Sequence, residues 1–216
     1  MSCCSKSPKH SLCYFNLDDY KLPSLRSKIS KEENRLRHWI MEDIFDGESV
    51  PETEQIRDLA SRNILTIEDG KVASIYPVSV KESDKCVVFS TDKKNQLHFA
   101  MCAIDAIGFA FTFHRDVHIE TVLHDTQEPL ELFVPADGHA PIEATLSSCP
   151  EYKIRVLYPD LRKCDSWSDH CCSHMHFFSS DEAVKAYIKA ENLEDADIIS
   201  LNLEQALTVA EWIFEE

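Results

Sequence analysis

Residues 99 to 113 constrain this chain most. Between Phe99 and Phe113 every residue is apolar or small except Asp105 and Thr112, and no proline interrupts the run. The run reads as a helix, and Cys102 and Asp105, three positions apart, fall on one of its faces. A carboxylate carried into such a segment costs free energy unless it is paired or used. The plain alternative is that Cys102 is one more small core hydrophobe and that Asp105 bonds locally. Taken alone, this segment favours that alternative.

A chain of 216 residues with 44% hydrophobic content can bury such a helix in a real core, as one large domain or one ordinary domain with a small companion. No apolar run is long enough to span a bilayer, and residues 1 to 10 lack the apolar centre of a signal peptide. The expectation is a soluble, cytoplasmic protein with no membrane partner. A formal net charge of -16 argues against nucleic-acid binding, since phosphate contacts need a basic surface. Nine cysteines without a secretory signal point away from a disulfide framework and toward reduced thiols, metal binding or catalysis. No pair of Cys-x-x-Cys doublets is present, so a zinc ribbon is not expected.

Residues 1 to 30 read as a mobile leader that carries Cys3, Cys4 and Cys13. From Ser30, a Ser cap with Glu33 at the capping-box position precedes Leu36, Trp39, Ile40, Ile44 and Phe45 at helical spacing. A second helix is expected from Ser49, with Pro51 near its first turn. Two β-like runs then flank the Asp69-Gly70 turn. Helix, helix, hairpin is the outline of a winged-helix-like unit over residues 31 to 80. The weakly basic second helix suits packing better than DNA binding.

Residues 81 to 216 read as a catalytic α+β domain, an antiparallel or mixed sheet flanked by helices. Strands are expected at 86–89 and 96–99 around a polar turn, at 117–123 and 129–134 as a hairpin, and at 144–146, 152–157 and 197–201. A polar loop from Pro159 to His170 follows the sixth of these. Ser180 caps a helix to about Ala190, and Leu203 to Phe214 closes the chain as a helix.

Cys171, Cys172, His174 and His176 are the densest set of soft ligands in the sequence. Alternation through His174-Met175-His176-Phe177-Phe178 suggests a strand with both histidines on one face. With Cys102 brought near, the set suits a zinc or copper site, a thiol redox pair, or a two-thiolate site for a softer metal. Histidines and cysteines that merely fill the structure are the remaining alternative.

Cys102-Ala-Ile-Asp105 in an apolar helix, followed about seventy residues later by Cys-Cys-Ser-His-Met-His-Phe-Phe178 and a helix, strand, helix tail, resembles the organomercurial (alkylmercury) lyases. Ile75-Tyr-Pro-Val-Ser79 adds to the likeness, which covers roughly residues 31 to 216. The resemblance implies cleavage of carbon-mercury bonds by protonolysis with two cysteines and one aspartate. Carried over by motif, these are Cys102 and Asp105, with Cys172 two residues before His-x-His and Cys171 as runner-up. A further cysteine of many members, on the strand after the first helix, falls near Leu123 and His124 and is absent here. The resemblance also implies a small organomercurial as substrate, no required cofactor, Hg(II) bound as product, and external thiols or a mercuric reductase as its acceptors. The competing expectation is a non-catalytic copper- or zinc-binding or sensing protein on the same fold, using Cys171, Cys172 and the histidines.

The chemistry behind such a triad can be stated without the family. Hg(II) is soft and prefers two thiolates. A carboxyl group raised in pKa by burial can take a proton from an incoming thiol and deliver it to the departing carbon.

Overall fold

The computed structural model describes residues 24–90, 96–136, 141–146, 150–161, 167–193 and 198–215. Most of the leader, with Cys3, Cys4 and Cys13, lies outside the described residues, as do the turn at 91–95 and the centre of the Pro159 to His170 loop.

Helix α1 (Lys31–Phe45) begins as its sequence dictates. Ser30 Oγ accepts from the Glu33 N–H at 3.2 Å, and the Glu33 carboxylate accepts from the Ser30 N–H at 2.6 Å. The second helix departs from the expectation. Its first residue is Glu54, its cap is Thr53, and α2 runs Glu54–Ser61. Residues 50 to 52 are drawn into extended pairing instead: Val50 O accepts from Val72 N–H, Pro51 bridges Lys71, and Glu52 N–H donates to Gly70 O. Ser49 is therefore too far upstream to cap a helix.

Strands β1 (Leu65–Glu68) and β2 (Lys71–Ile75) form the expected hairpin, with Asp69 and Gly70 both at positive φ in its turn. Two short strands and two longer ones continue the sheet: β3 (Val78–Ser79), β4 (Cys86–Phe89), β5 (His98–Ala100) and β6 (Val117–Val122). With β7 (Pro129–Val134) and β8 (Glu143–Thr145) they make an eight-stranded sheet in the order β1-β2-β3-β5-β4-β6-β7-β8. Every pairing in it is antiparallel. The hairpin of residues 65 to 75 thus runs through β3 into the sheet of the following segment. On β6 and β7 the alternation sends Val117, Ile119, Leu130, Leu132 and Val134 inward, and His118, Glu120 and Glu131 outward.

Helix α3 (Ala103–Phe113) joins β5 to β6, and every residue from Ala103 to Thr112 is buried. A helix apolar on all sides needs cover on all sides. The sheet supplies one side, through β4, β5 and β6, and α6 (Leu203–Phe214) another. Gly108 lets the two helices close up, because a Cβ there would lie 2.3 Å from the nearest atom of the Phe214 ring.

A second sheet places β9 (Arg155–Pro159) between β10 (Phe177–Phe178) and β11 (Ile198–Leu201), again antiparallel. Residues 151–153 form a 3-10 turn, so the strand expected at 152–157 starts later, at Arg155. Helix α5 (Asp181–Ala190), capped by Ser180 as expected, packs on this sheet, and α4 (Trp167–His170) packs against the turn at 172–174. The fold is α+β, with antiparallel sheets flanked by helices. No helix among the described residues is long and apolar enough to cross a membrane.

Candidate active site

Cys102 is the N-cap of α3 rather than a residue of its first turn. Its backbone is extended, and its sulfur accepts from the Asp105 N–H at 3.3 Å, the place a serine or threonine oxygen usually takes. The same geometry returns the Asp105 carboxyl group to the sulfur: the Cys102 thiol donates to Asp105 Oδ2 at 2.9 Å.

The third member arrives from the other sheet. After α4, residues 172–174 form a 3-10 turn that sets Cys172 Sγ 3.7 Å from the same Asp105 Oδ2. One ligand atom from each of Cys102, Asp105 and Cys172 lies within 4.8 Å of the others, and all three residues are buried. Tyr76, which follows β2, reaches in from the first sheet and sets its hydroxyl 4.0 Å from Cys172 Sγ. Its peptide with Pro77 is cis. Arg37 of α1 donates through Nε to Tyr76 O at 2.7 Å, and the Trp167 and Tyr76 rings meet edge to face, 5.8 Å between centroids.

Burial dominates the electrostatics. It raises Asp105 to about 7, against hydrogen bonds from both thiols and the charges of Lys85 and Arg37. Burial, the neighbouring Cys172 and the Asp105 carboxyl group hold the Cys102 thiol well above its ordinary value. Cys172 is pulled down by its hydrogen bond with Cys102, but burial and Asp105 outweigh this and leave it raised. Both sulfurs therefore rest as thiols, close to a carboxyl group poised to gain or lose a proton near neutral pH. A soft metal that binds must displace those protons.

Cys171 and the two histidines are not brought into this cluster. Cys171 is buried and disulfide-bonded, so the expectation of reduced thiols holds for Cys86, Cys102 and Cys172 and fails for Cys171. The strand expected through His174 and His176 shrinks to Phe177–Phe178, because the 3-10 turn takes the preceding residues. His174 Nδ1 pairs with the Tyr187 hydroxyl at 2.9 Å, and His176 Nε2 donates to Ser173 O at 2.9 Å while its ring stacks on His124 at 4.2 Å. Burial, with the charges of Lys85 and His124, depresses His176 to about 4. Among the described residues the histidines serve an aromatic cluster with Tyr187 and Phe178, not a site with the thiols. His124 stands in that cluster, beside the position where the absent further cysteine was expected.

Sequence reasoning missed Tyr76 and Met175. Both lie inside the motifs that carried the resemblance, yet nothing local says that the Tyr76 hydroxyl and the Met175 sulfur, 3.6 Å from Cys102 Sγ, meet the two thiols.

Two thiols around one carboxyl group, on an α+β fold of antiparallel sheets, are a donor set that could hold a thiophilic metal. The fold is shared with a crystal structure of the mercury-bound form of MerB2, at a TM-score of 0.64 and 22% identity over 86% of this chain and 91% of that one. Residues 82–215 match the alkylmercury lyase family model, and the chain belongs to that family, and with it to the lyases. Curated relatives agree. The alkylmercury lyase of Bacillus cereus is 27% identical over 177 residues, covering 73% of this chain and 77% of the relative. That of Staphylococcus epidermidis is 23% identical over 156 residues, 67% of each.

Proposed function

We propose that this chain cleaves the carbon-mercury bond of small organomercurials by protonolysis, with Cys102 and Cys172 as the mercury-binding thiolates and Asp105 as the proton carrier. The observation that carries the reading is that one oxygen, Asp105 Oδ2, lies within 2.9 Å of Cys102 Sγ and 3.7 Å of Cys172 Sγ. A proton can pass between either sulfur and that oxygen without rearrangement.

An organomercurial arrives as R-Hg-X, with X a thiolate from solution. The first cysteine sulfur bonds to mercury as X leaves with that cysteine's proton as HX. The second thiol gives its proton to Asp105 and bonds to mercury, building electron density at the metal. Asp105 then delivers the proton to carbon, the carbon-mercury bond breaks, and R-H departs. Two thiol protons are spent, one in HX and one in R-H, and Hg(II) remains as the dithiolate. No electron changes hands and no cofactor is called for. External thiols, or a mercuric reductase presenting thiols, would collect the metal.

Cys172 is preferred over Cys171 because the latter is disulfide-bonded while the former faces Asp105. The test is incubation with phenylmercury and excess thiol, with benzene measured in the headspace. Benzene above the thiol-only background supports the reading, and its absence refutes it.

A further inference from the structure

We infer that the Met175 thioether is a third sulfur donor to mercury in this site, and so extends the lyase reading on which it rests. Met175 is tied to both cysteines by the backbone: its N–H donates to Cys172 O at 3.2 Å, and its carbonyl accepts from the N–H of Ala103, the residue after Cys102, at 2.9 Å. Its side chain completes the arrangement, with Sδ 3.6 Å from Cys102 Sγ and the residue 1% exposed.

A methionine that only filled a gap in the core would need volume, not a particular direction for its sulfur. The Cys102 thiol has two acceptors in reach, Asp105 Oδ2 at 2.9 Å and the Met175 thioether at 3.6 Å, and the weak bond to the thioether aims its sulfur lone pair at the Cys102 sulfur, where a metal that displaces the thiol proton would sit. Thioether sulfur is a soft donor suited to soft metals. Unlike a thiol it has no proton to lose, so its lone pair is available to the metal at any pH. On binding, Met175 donates a lone pair, nothing is oxidised, and the two thiolates supply all the charge. A metal so held by three sulfurs is a better leaving partner for carbon and stays in the site until external thiols displace it.

The full-length protein, labelled with selenomethionine and loaded with one equivalent of mercuric chloride, tests this by X-ray absorption at the selenium edge. Four methionines are present, at 1, 41, 101 and 175. A mercury neighbour in the selenium spectrum is expected, retained in Met41→Leu and Met101→Leu and lost in Met175→Leu. Retention of Hg(II) against dithiothreitol should fall about tenfold in Met175→Leu, within the range that loss of a supporting contact costs a metal site. A selenium spectrum without mercury, or one that loses the contact in Met101→Leu instead, overturns the inference, whether or not Met175→Leu folds. Benzene release without the selenium-mercury contact overturns this inference alone. The contact without benzene release overturns the lyase reading and leaves Met175 as a mercury ligand.

Discussion

Cys102 and Asp105 hold each other at both ends: the Asp105 N–H donates to the Cys102 sulfur at 3.3 Å, and the Cys102 thiol donates to Asp105 Oδ2 at 2.9 Å. The cap of the central helix and the proposed reacting pair are therefore one structure. Cys102→Ser separates their two roles. Serine is among the best N-cap residues, so the melting temperature should stay level or rise. Its hard oxygen is a poor ligand for mercury, so hydrocarbon release should fall to background. Calorimetry and headspace analysis on one preparation would show the split.

Asp105→Asn should remove a cost to stability that grows with pH. The folded-state value near 7 stands above the ordinary 3.8, so the folded state binds the proton more tightly than the unfolded chain does. The cost of Asp105 is absent below about 3.8, grows as pH rises, and is complete above about 7. An uncharged asparagine avoids it. The variant should be more stable than the parent at pH 8, by on the order of 4 kcal/mol, with the difference shrinking toward pH 4. Urea unfolding at the two pH values checks this, and a variant less stable at pH 8 would contradict it.

Tyr76→Phe removes a hydroxyl 4.0 Å from Cys172 Sγ and leaves the ring against Trp167. A hydrogen bond to a charged group is worth about 1.5–3 kcal/mol. Loss of that bond to the Cys172 thiolate should lower kcat about tenfold or more with KM little changed. Steady-state kinetics with phenylmercury would show an equal loss in kcat and kcat/KM.

Gly108→Ala should destabilise the fold by about 1–3 kcal/mol, because the new methyl group meets the Phe214 ring. Phe214→Leu should relieve part of that cost in the double variant. A double-mutant cycle in urea measures the coupling, and additive losses would place the strain elsewhere.

Much of this fold could be read from local chemistry. The Ser30 capping box, the Ser180 cap and the Asp69-Gly70 turn each act within a few residues, and each forms as the sequence indicates. Local chemistry does not single out Thr53 as the cap, because the pairing of residues 50 to 52 with 70 to 72 is a contact across the chain. The strand expected through His174 and His176 is shortened for a similar reason, since alternation cannot reveal a tight turn just before it. Cys102, Asp105 and Cys172 were legible as residues of a motif. That Tyr76 and Met175 meet them follows only from packing one sheet's end against the other.

The central claim is that Asp105 delivers the proton that breaks the carbon-mercury bond, and the most direct measurement is benzene release from phenylmercury by the parent chain and by Asp105→Asn under single-turnover conditions. The account predicts one benzene per site from the parent and a rate lower by about 10²–10⁴-fold, the usual contribution of a general acid, in the variant, with Hg(II) binding kept. Equal rates from the two proteins, or no benzene from either, would contradict it.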